Sequence, residues 1–541
     1  MHRSNGDGVD GSITSGSDFL QLNVAEAPPG GLADWLTGRL RSAISGGALP
    51  VGARLPATRV LAAELRVSRG VVTEAYQRLA EDGQVEGRGR AGTVVVAAPL
   101  AVRPEGADLA WARPGDVGSA VADPVDADPV DAGPVDAGPV GTGSVGAGSA
   151  EVRADRERAG GVRGVEELFE AEPGSALFDA LREAPCRIDL TPGVPELAAF
   201  PRAAWMRAER TVLAGLPASG FGYGDPRGTP ALRAEVAGWL ARNRGIRASP
   251  DEVVIVAGTA QALSLLTRVL RADGIGAVAV EDPGSLGVRQ HLRDGGMDTP
   301  PAPVDDQGVR VDALRASGAP AVLLTPAHQF PMGVVLGGER RRELMGWARD
   351  GGLVIEDDYD AEHRYDRPPV GALRALLAEH VCYAGSVSKL LAPALRVGWV
   401  LVPSRHREAL VAAKRYADLG NAALPQLVLA ELMRSGRLER HLRMVRARHR
   451  RRRDTMIEAI RAHLPGAVVH GAAAGLHLTV TFDSSAPDRD LAAAALARGV
   501  KVQPLSWHRQ RPGRPGLVLG YAASAPSEIA EGVAVLGRLL R

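Results

Sequence analysis

The chain of 541 residues contains two cysteines, Cys186 and Cys382, and only three lysines among its 64 basic side chains. Two cysteines exclude a disulfide scaffold and suit a reducing cytosol. Cys382, set in an apolar run, reads as a core residue. No stretch of about 18 consecutive apolar residues occurs, so no membrane-spanning helix is expected. The N-terminus lacks the apolar centre of a secretory leader, which points to a cytoplasmic protein. A formal net charge of +1 provides no general attraction to nucleic acid or membranes. The shortage of lysine is the most telling of these absences. Where arginine supplies nearly every positive charge, a lysine marks a position that needs an amine. Lys389 closes Gly385-Ser386-Val387-Ser388-Lys389, just after the apolar segment Val381-Cys382-Tyr383-Ala384, and Arg396 follows in Pro393-Ala394-Leu395-Arg396. An amine on a strand-to-helix turn, with hydroxyls and a guanidinium nearby, suits covalent carbonyl chemistry beside a bound phosphate.

The flanking pattern supports that reading. Apolar segments at 253–256, 277–280, 321–324, 353–355 and 397–402 alternate with helical patterns. That alternation predicts an α/β domain with a mainly parallel sheet covered on both faces. Ligands of such sheets sit beyond the carboxyl ends of the strands. Polar clusters fall there. Gly258-Thr259 opens a helical pattern whose free N–H groups would cradle a phosphate. Glu356-Asp357-Asp358-Tyr359-Asp360-Ala361-Glu362 places five carboxylates in seven residues. A plain turn does not need that many, and one of them facing a cationic heterocycle would account for the cost. The cluster lacks the glycine-rich spacing of a calcium loop, so no metal site is expected. His328, in the loop Thr325-Pro326-Ala327-His328-Gln329-Phe330-Pro331-Met332-Gly333, reads equally well as a structural histidine.

Taken in order, Phe221-Gly222-Tyr223-Gly224-Asp225-Pro226-Arg227-Gly228, Gly258-Thr259, Glu356-Asp357-Asp358-Tyr359, Ser386-Val387-Ser388-Lys389 and Arg396 resemble the fold-type I aminotransferase family. The resemblance covers residues 186–541. It implies a pyridoxal 5′-phosphate domain with a smaller C-terminal α+β subdomain. By the same resemblance Lys389 is the catalytic lysine that binds the cofactor covalently. Asp357, or in the other register Asp358, would face the pyridine nitrogen, and Tyr359 would bond the ring hydroxyl. Ser386, Ser388, Arg396 and the Gly258-Thr259 backbone would hold the phosphate, with Tyr223 reaching in from a partner subunit. One departure stands out. Similar proteins carry a ring-stacking aromatic in the loop Glu281-Asp282-Pro283-Gly284-Ser285, where this chain has Ser285. Loss of the stack costs on the order of 1 kcal/mol or more.

The other informative region is residues 19–97. Leu32, Trp35, Leu36, Leu40 and Ile44 share one helical face. Leu55-Pro56-Ala57-Thr58-Arg59 starts a second helix, Arg66-Val67-Ser68 forms a turn, and a third helix runs from about Arg69 to Ala80, capped by Ser68. Gln84 to Val96 reads as a hairpin wing. These features resemble the GntR-type winged helix-turn-helix, a mostly α domain. By resemblance Arg59, Ser68, Arg69 and Thr73 face double-stranded DNA, Arg88 and Gly89 touch it from the wing, and Arg54 meets a phosphate. Residues 31–96 hold nine arginines and six acids, a net of +3, so affinity must come from placement.

Residues 1–18 read as a loose tail. Residues 98–185, centred on repeats of Asp-Ala-Gly-Pro-Val type, read as a flexible low-complexity linker with too few large apolar side chains to fold. Together the parts resemble the MocR/PdxR/GabR group of transcription regulators. That resemblance implies a DNA operator as partner, a head-to-tail homodimer, and a large domain that senses pyridoxal phosphate or its adduct with an amine or amino acid rather than catalysing. Two alternatives stay open: an active aminotransferase fused to a DNA-binding domain, and a cofactor-free dimerisation domain on a regulator. Arg514, as a candidate effector-carboxylate contact, would separate the first from a sensor.

Overall fold

The computed structural model describes residues 22–28, 31–45, 49, 52–81, 84–87, 92–96, 168–169, 173–174, 176–365, 371–484 and 486–540. The N-terminal region begins with α1 (Leu32–Ser45), β1 (Arg54–Leu55), α2 (Thr58–Leu65), α3 (Arg69–Glu81), β2 (Val85–Gly87) and β3 (Thr93–Val95). The i, i+4, i+8 spacing of Leu36, Leu40 and Ile44 carries them into one core with Val72, Ala75 and Leu79 of α3. Between α2 and α3, Arg66 adopts a left-handed conformation, and its N–H donates to the carbonyls of Ala62 and Ala63. Ser68 then accepts from the Val71 N–H at 3.4 Å, the cap expected of it. The strands form one antiparallel sheet in the order β1-β3-β2, which makes the wing.

The second region starts earlier than its sequence suggests. The linker was expected to reach residue 185, yet α4 (Leu177–Glu183) is folded. Phe169, Leu177 and Leu181 enter the core of the C-terminal subdomain. Phe169 stacks on Trp507 with ring centroids 5.2 Å apart. The cause is local: Leu177 and Leu181 lie one helical turn apart and offer an apolar stripe where the rest of the segment offers none.

After β4 (Ile188–Asp189), β5 (Val254–Val256) leads into α5 (Thr259–Ala272), and β6 (Val278–Asp282) into α6 (Leu286–Asp294). Then follow β7 (Pro301–Asp305), β8 (Gly308–Val309), β9 (Ala321–Leu324), β10 (Leu353–Asp358), β11 (Val381–Ser386) and β12 (Gly398–Leu401). These build an eight-stranded sheet of order β5-β12-β11-β10-β9-β6-β7-β8. Strands β11, β10, β9, β6 and β7 are mutually parallel. The sheet is mainly parallel, as expected, with β12 antiparallel to both β11 and β5 and β8 antiparallel to β7. In register, Gly398 faces Ser386 on one side and Val256 on the other. The start of β12 therefore meets the carboxyl ends of its neighbours, and the connection that holds Lys389 and Arg396 turns back over that one edge.

The long helix α7 (Arg437–His463) leads to the C-terminal subdomain. There β13 (Val468–His470), β14 (His477–Thr481), β16 (Gln503–Pro504) and β17 (Gly516–Gly520) form an antiparallel sheet of order β13-β14-β17-β16. Strand β15 (Val500–Lys501) pairs in parallel with β4, tying this subdomain to the residues that follow α4. No helix among the described residues is long and apolar enough to cross a membrane.

Candidate functional site

A cavity of about 770 Å³ opens at the carboxyl edge of the large sheet. Thr259, Asp357, Tyr359, Ser386, Ser388, Lys389 and Arg396 all line it. Each arrives by a separate physical route. On β10 successive side chains alternate between faces. Glu356 and Asp358 take the face away from the cavity: Glu356 accepts from the N–H groups of Leu373 and Arg374 at 3.0 and 3.1 Å, and Asp358 meets the Arg244 Nε and the Tyr383 hydroxyl, both at 2.5 Å. Asp357 is left facing the cavity, and its Oδ1 is buried with no hydrogen-bond partner among the described residues. The register between Asp357 and Asp358, open in the sequence, is fixed by strand alternation.

Burial and the neighbouring carboxylates Asp358 and Asp360 push the Asp357 carboxyl up to about 7, opposed by Lys389. Burial in turn pulls the Lys389 ammonium down, opposed by Asp360 and Asp357. Lys389 Nζ donates to the Gly193 carbonyl. Gly193 sits at φ +86°, and a Cβ there would lie 3.3 Å from Nζ, so this approach requires a glycine. Gly258, at φ +81°, precedes α5, and a Cβ there would stand 3.2 Å from the Arg396 guanidinium. Arg396 itself donates to the Ala257 carbonyl. The arginine and the N-terminus of α5 thus share one corner, which is an anion cradle.

Behind Tyr359 lies a buried polar group. The Tyr359 hydroxyl is 3.0 Å from His328 Nδ1, which is also 3.0 Å from Asp360 Oδ2. Candidate ligand atoms of His328, Asp360 and His477 lie within 4.8 Å of one another. His328 thus orients Tyr359. Nothing in the sequence signals that role, because it depends on the packing of the loops after β9 and β10 against His477 of the C-terminal sheet. Ser285 lines the cavity as well, but its hydroxyl caps α6 by accepting from Val288 at 3.3 Å. Phe178 of α4 lines the cavity beside it: a Cβ added at Gly287 would lie 3.7 Å from the Phe178 ring and 4.0 Å from Ser285 Oγ.

Arg514 is not at this cavity, and Tyr223, expected to reach the cavity of a partner subunit, does not line that of its own chain. Tyr223 is 95% exposed. Arg514 pairs with Asp483 and borders a separate depression with Asp282 and Arg511, so the structure does not bring it to the cavity. Among the cavity residues that sequence reasoning passed over are Phe178, Arg182, Gly193, Lys501, Gln503 and His508. Of these, only Lys501 carried a signal, its rarity. In the DNA-binding region Arg54, Arg59, Ser68, Arg69 and Thr73 are all exposed. Arg69 Nε is 3.4 Å from the Thr58 hydroxyl, which ties the start of α3 to α2. Arg88 and Gly89 lie outside the described residues.

A sheet of this order, capped by an antiparallel subdomain and joined to a winged helix-turn-helix, defines an aminotransferase-like fold carried by a DNA-binding protein. Residues 188–529 match the family of class I and II aminotransferases, and residues 32–95 match the bacterial regulatory proteins of the gntR family. The chain is 30% identical to the probable rhizopine catabolism regulatory protein MocR of Rhizobium meliloti, over 92% of this chain and 91% of that one. It is 28% identical to the pyridoxine biosynthesis transcriptional regulator PdxR of Corynebacterium glutamicum, over 93% of this chain and 94% of that one. Among solved structures, an archaeal alanine:glyoxylate aminotransferase superposes with a TM-score of 0.63 at 28% identity, covering 69% of this chain and 97% of that one. The chain belongs to the MocR-type GntR transcriptional regulators, in which a DNA-binding segment is joined to an aminotransferase-like domain.

Domains of this class typically bind pyridoxal phosphate, and the residues present fit that group. An unpartnered buried carboxylate suits a ring cation, the Gly258–Arg396 corner suits a phosphate, and a buried amine with a depressed pKa suits an aldehyde.

Proposed function

We propose that this regulator binds pyridoxal phosphate at Lys389 and senses the cofactor, or its adduct with an amine or amino acid, to control DNA binding. The observation that carries the reading is the convergence of Lys389, Asp357, Tyr359, Ser386, Ser388, Thr259 and Arg396 on one cavity. When bound, the cofactor supplies an aldehyde for condensation with amines and a cationic ring that withdraws electrons. Lys389 provides the attaching amine, kept nucleophilic by burial. Asp357 would hold its charge against the ring nitrogen, and Tyr359, held by its bond to the His328 carbonyl, would hydrogen-bond the ring hydroxyl. Ser386, Ser388, Arg396 and the first turn of α5 take the phosphate. Tyr223, exposed on its own chain, completes the phosphate site of a second copy in a head-to-tail dimer. Phe178 takes the apolar place that Ser285 leaves. A shift between dimer arrangements follows only if the ligand binds them unequally.

The parent protein mixed with pyridoxal phosphate is expected to develop a visible absorption band that borohydride fixes to the chain, and Lys389→Ala to show neither. A band of equal strength in the variant, or none in the parent at saturating cofactor, rules the reading out. Turnover of ketoacids is expected to be negligible, since Arg514 stands away from the cavity; sustained transamination with a common amino donor would show a working enzyme instead.

A further inference from the structure

The segment Arg509-Gln510-Arg511-Pro512-Gly513-Arg514 carries three guanidiniums in six residues. All three border the separate depression, of about 280 Å³, that Asp282, His470 and Thr481 also line. A Cβ at Gly513 would overlap the Arg509 guanidinium, so the turn lies directly on that side chain. Three arginines against the one carboxylate of Asp282 leave the wall with a net charge of +2. His470 adds none: burial, then Arg514 and Arg509, push its pKa down, and its Nε2 lies 2.9 Å from the Thr481 hydroxyl.

The three arginines are unequally satisfied. Arg511 Nε stands 3.3 Å from Asp282 Oδ2, and Arg514 meets Asp483. Their side chains stay 57% and 53% exposed, so water weakens both pairs and the guanidiniums remain open to a further oxygen. Arg509 is different. Its Nε is buried with no hydrogen-bond partner among the described residues. Only the attraction of Asp488 and Asp282 offsets the burial of its charge. Asp282 is already engaged, because its Oδ1 accepts from the Gln510 N–H at 2.8 Å. A half-buried guanidinium without a partner, beside two others, is a cost that a bound anion removes. Planar guanidinium forks grip the oxygens of a tetrahedral oxyanion in pairs.

We infer that this depression is a second anion site, separate from the large cavity, which takes a compact, doubly charged oxyanion: phosphate, or the phosphate end of a small monoester. Two negative charges match the net charge of the wall, and the volume falls below that of sites for drug-sized ligands. Arg509 supplies the central contact, and Arg511 and Arg514 close on the anion from the rim. The site does not depend on the cofactor reading, since among the described residues none lines both cavities. The two are neighbours all the same. Ser285 and His508 line the large one, Asp282 and Arg509 the small one, and the Gly284 N–H donates to the His508 carbonyl at 2.8 Å.

The test is a calorimetric titration of the full chain with inorganic phosphate, after loading with pyridoxal phosphate and removal of the excess, at an ionic strength held constant with chloride. The same titration of Arg396→Ala separates this site from the anion corner of the large cavity, whether or not that corner is filled. Phosphate is expected to bind both proteins alike. Arg509→Met is expected to weaken binding by about tenfold or more, Arg509→Lys to weaken it less, and Arg514→Ala to weaken it by about threefold. Arg514 is exposed, so its variant keeps the test decisive if Arg509→Met does not fold. Tighter binding of glycerol phosphate than of inorganic phosphate identifies a monoester as the ligand, and the reverse order identifies the free ion. No heat beyond that of chloride, binding that Arg396→Ala abolishes, equal affinity in the parent and the Arg509 and Arg514 variants, or tighter binding of malonate than of phosphate would overturn the inference.

Discussion

Asp357 and Asp358 are neighbours in sequence with opposite roles, because a strand sends them to opposite faces. Asp358 is neutralised by Arg244 with side chains only 2% and 1% exposed. Arg244→Ala would leave that carboxylate buried and is expected to cost about 3–5 kcal/mol, measured by denaturant unfolding. Asp357 has no such partner, and its carboxyl is raised from 3.8 to about 7. Between those values the folded state binds more protons than the unfolded state. Its contribution to stability therefore falls as pH rises through that window. In cofactor-free protein, Asp357→Asn is expected to raise the melting temperature at pH above about 7 and to leave it nearly unchanged at pH near 4, a difference on the order of 1 kcal/mol or more. A cationic ring reverses the sign: cofactor affinity of the parent is expected to fall as pH drops below about 7, and that of Asp357→Asn to be weak and flat with pH. The pair of carboxylates was plain in the sequence. Which of them served the cavity was not, since that depends on where β10 begins and what packs behind it.

At the scale of elements, the turn between β11 and β12 does most to build the site. A second parallel strand would have carried Arg396 to the far edge of the sheet; the antiparallel return of β12 keeps it beside Gly258. Apolar periodicity located β12 but could not give its direction, because a buried strand reads the same both ways. In the DNA-binding region the opposite holds. Helix spacing, the Ser68 cap and the turn at Arg66 are local, and the sequence placed α1, α2 and α3 within a residue or two of their ends. Arg69, exposed at the start of α3, is expected to meet a phosphate or base edge. Arg69→Ala should weaken operator binding, and should lower the slope of log affinity against log salt by about 1 if the contact is to phosphate. Unchanged affinity and slope would remove α3 as the reading element. Helix α4 shows how composition can mislead: a polar, glycine-rich flank concealed a short stripe of Leu177 and Leu181 that needs the C-terminal subdomain to bury it.

At the scale of the molecule, Phe221, Tyr223, Tyr416 and Leu419 are 61%, 95%, 79% and 57% exposed. Gly420 packs against Asp225 and Pro226, which brings the last two near the first two. Exposed large apolar side chains grouped in this way mark an association surface. A dimer is expected in sedimentation, with sites shared between copies. Lys389→Ala and Tyr223→Ala, each defective in cofactor binding alone, should then complement when mixed, restoring about a quarter of the sites in a randomly exchanged population. No recovery would mean that each chain builds its site unaided.

The sequence by itself determined the local features: a lysine where arginine is the rule, a Gly258-Thr259 turn that opens a helix, a capped helix-turn-helix, and the order of strands and helices. These are legible because they depend on residues close in the chain or on chemistry peculiar to one side chain. Only the tertiary structure decided that Asp357 rather than Asp358 faces the cavity, that Arg514 stands away from it, that α4 covers it, and that Lys501 shares it with Lys389. Each of those outcomes joins residues far apart in the chain. They are set by which faces pack and which charges must be paired on burial, and neither is written in any short stretch of sequence.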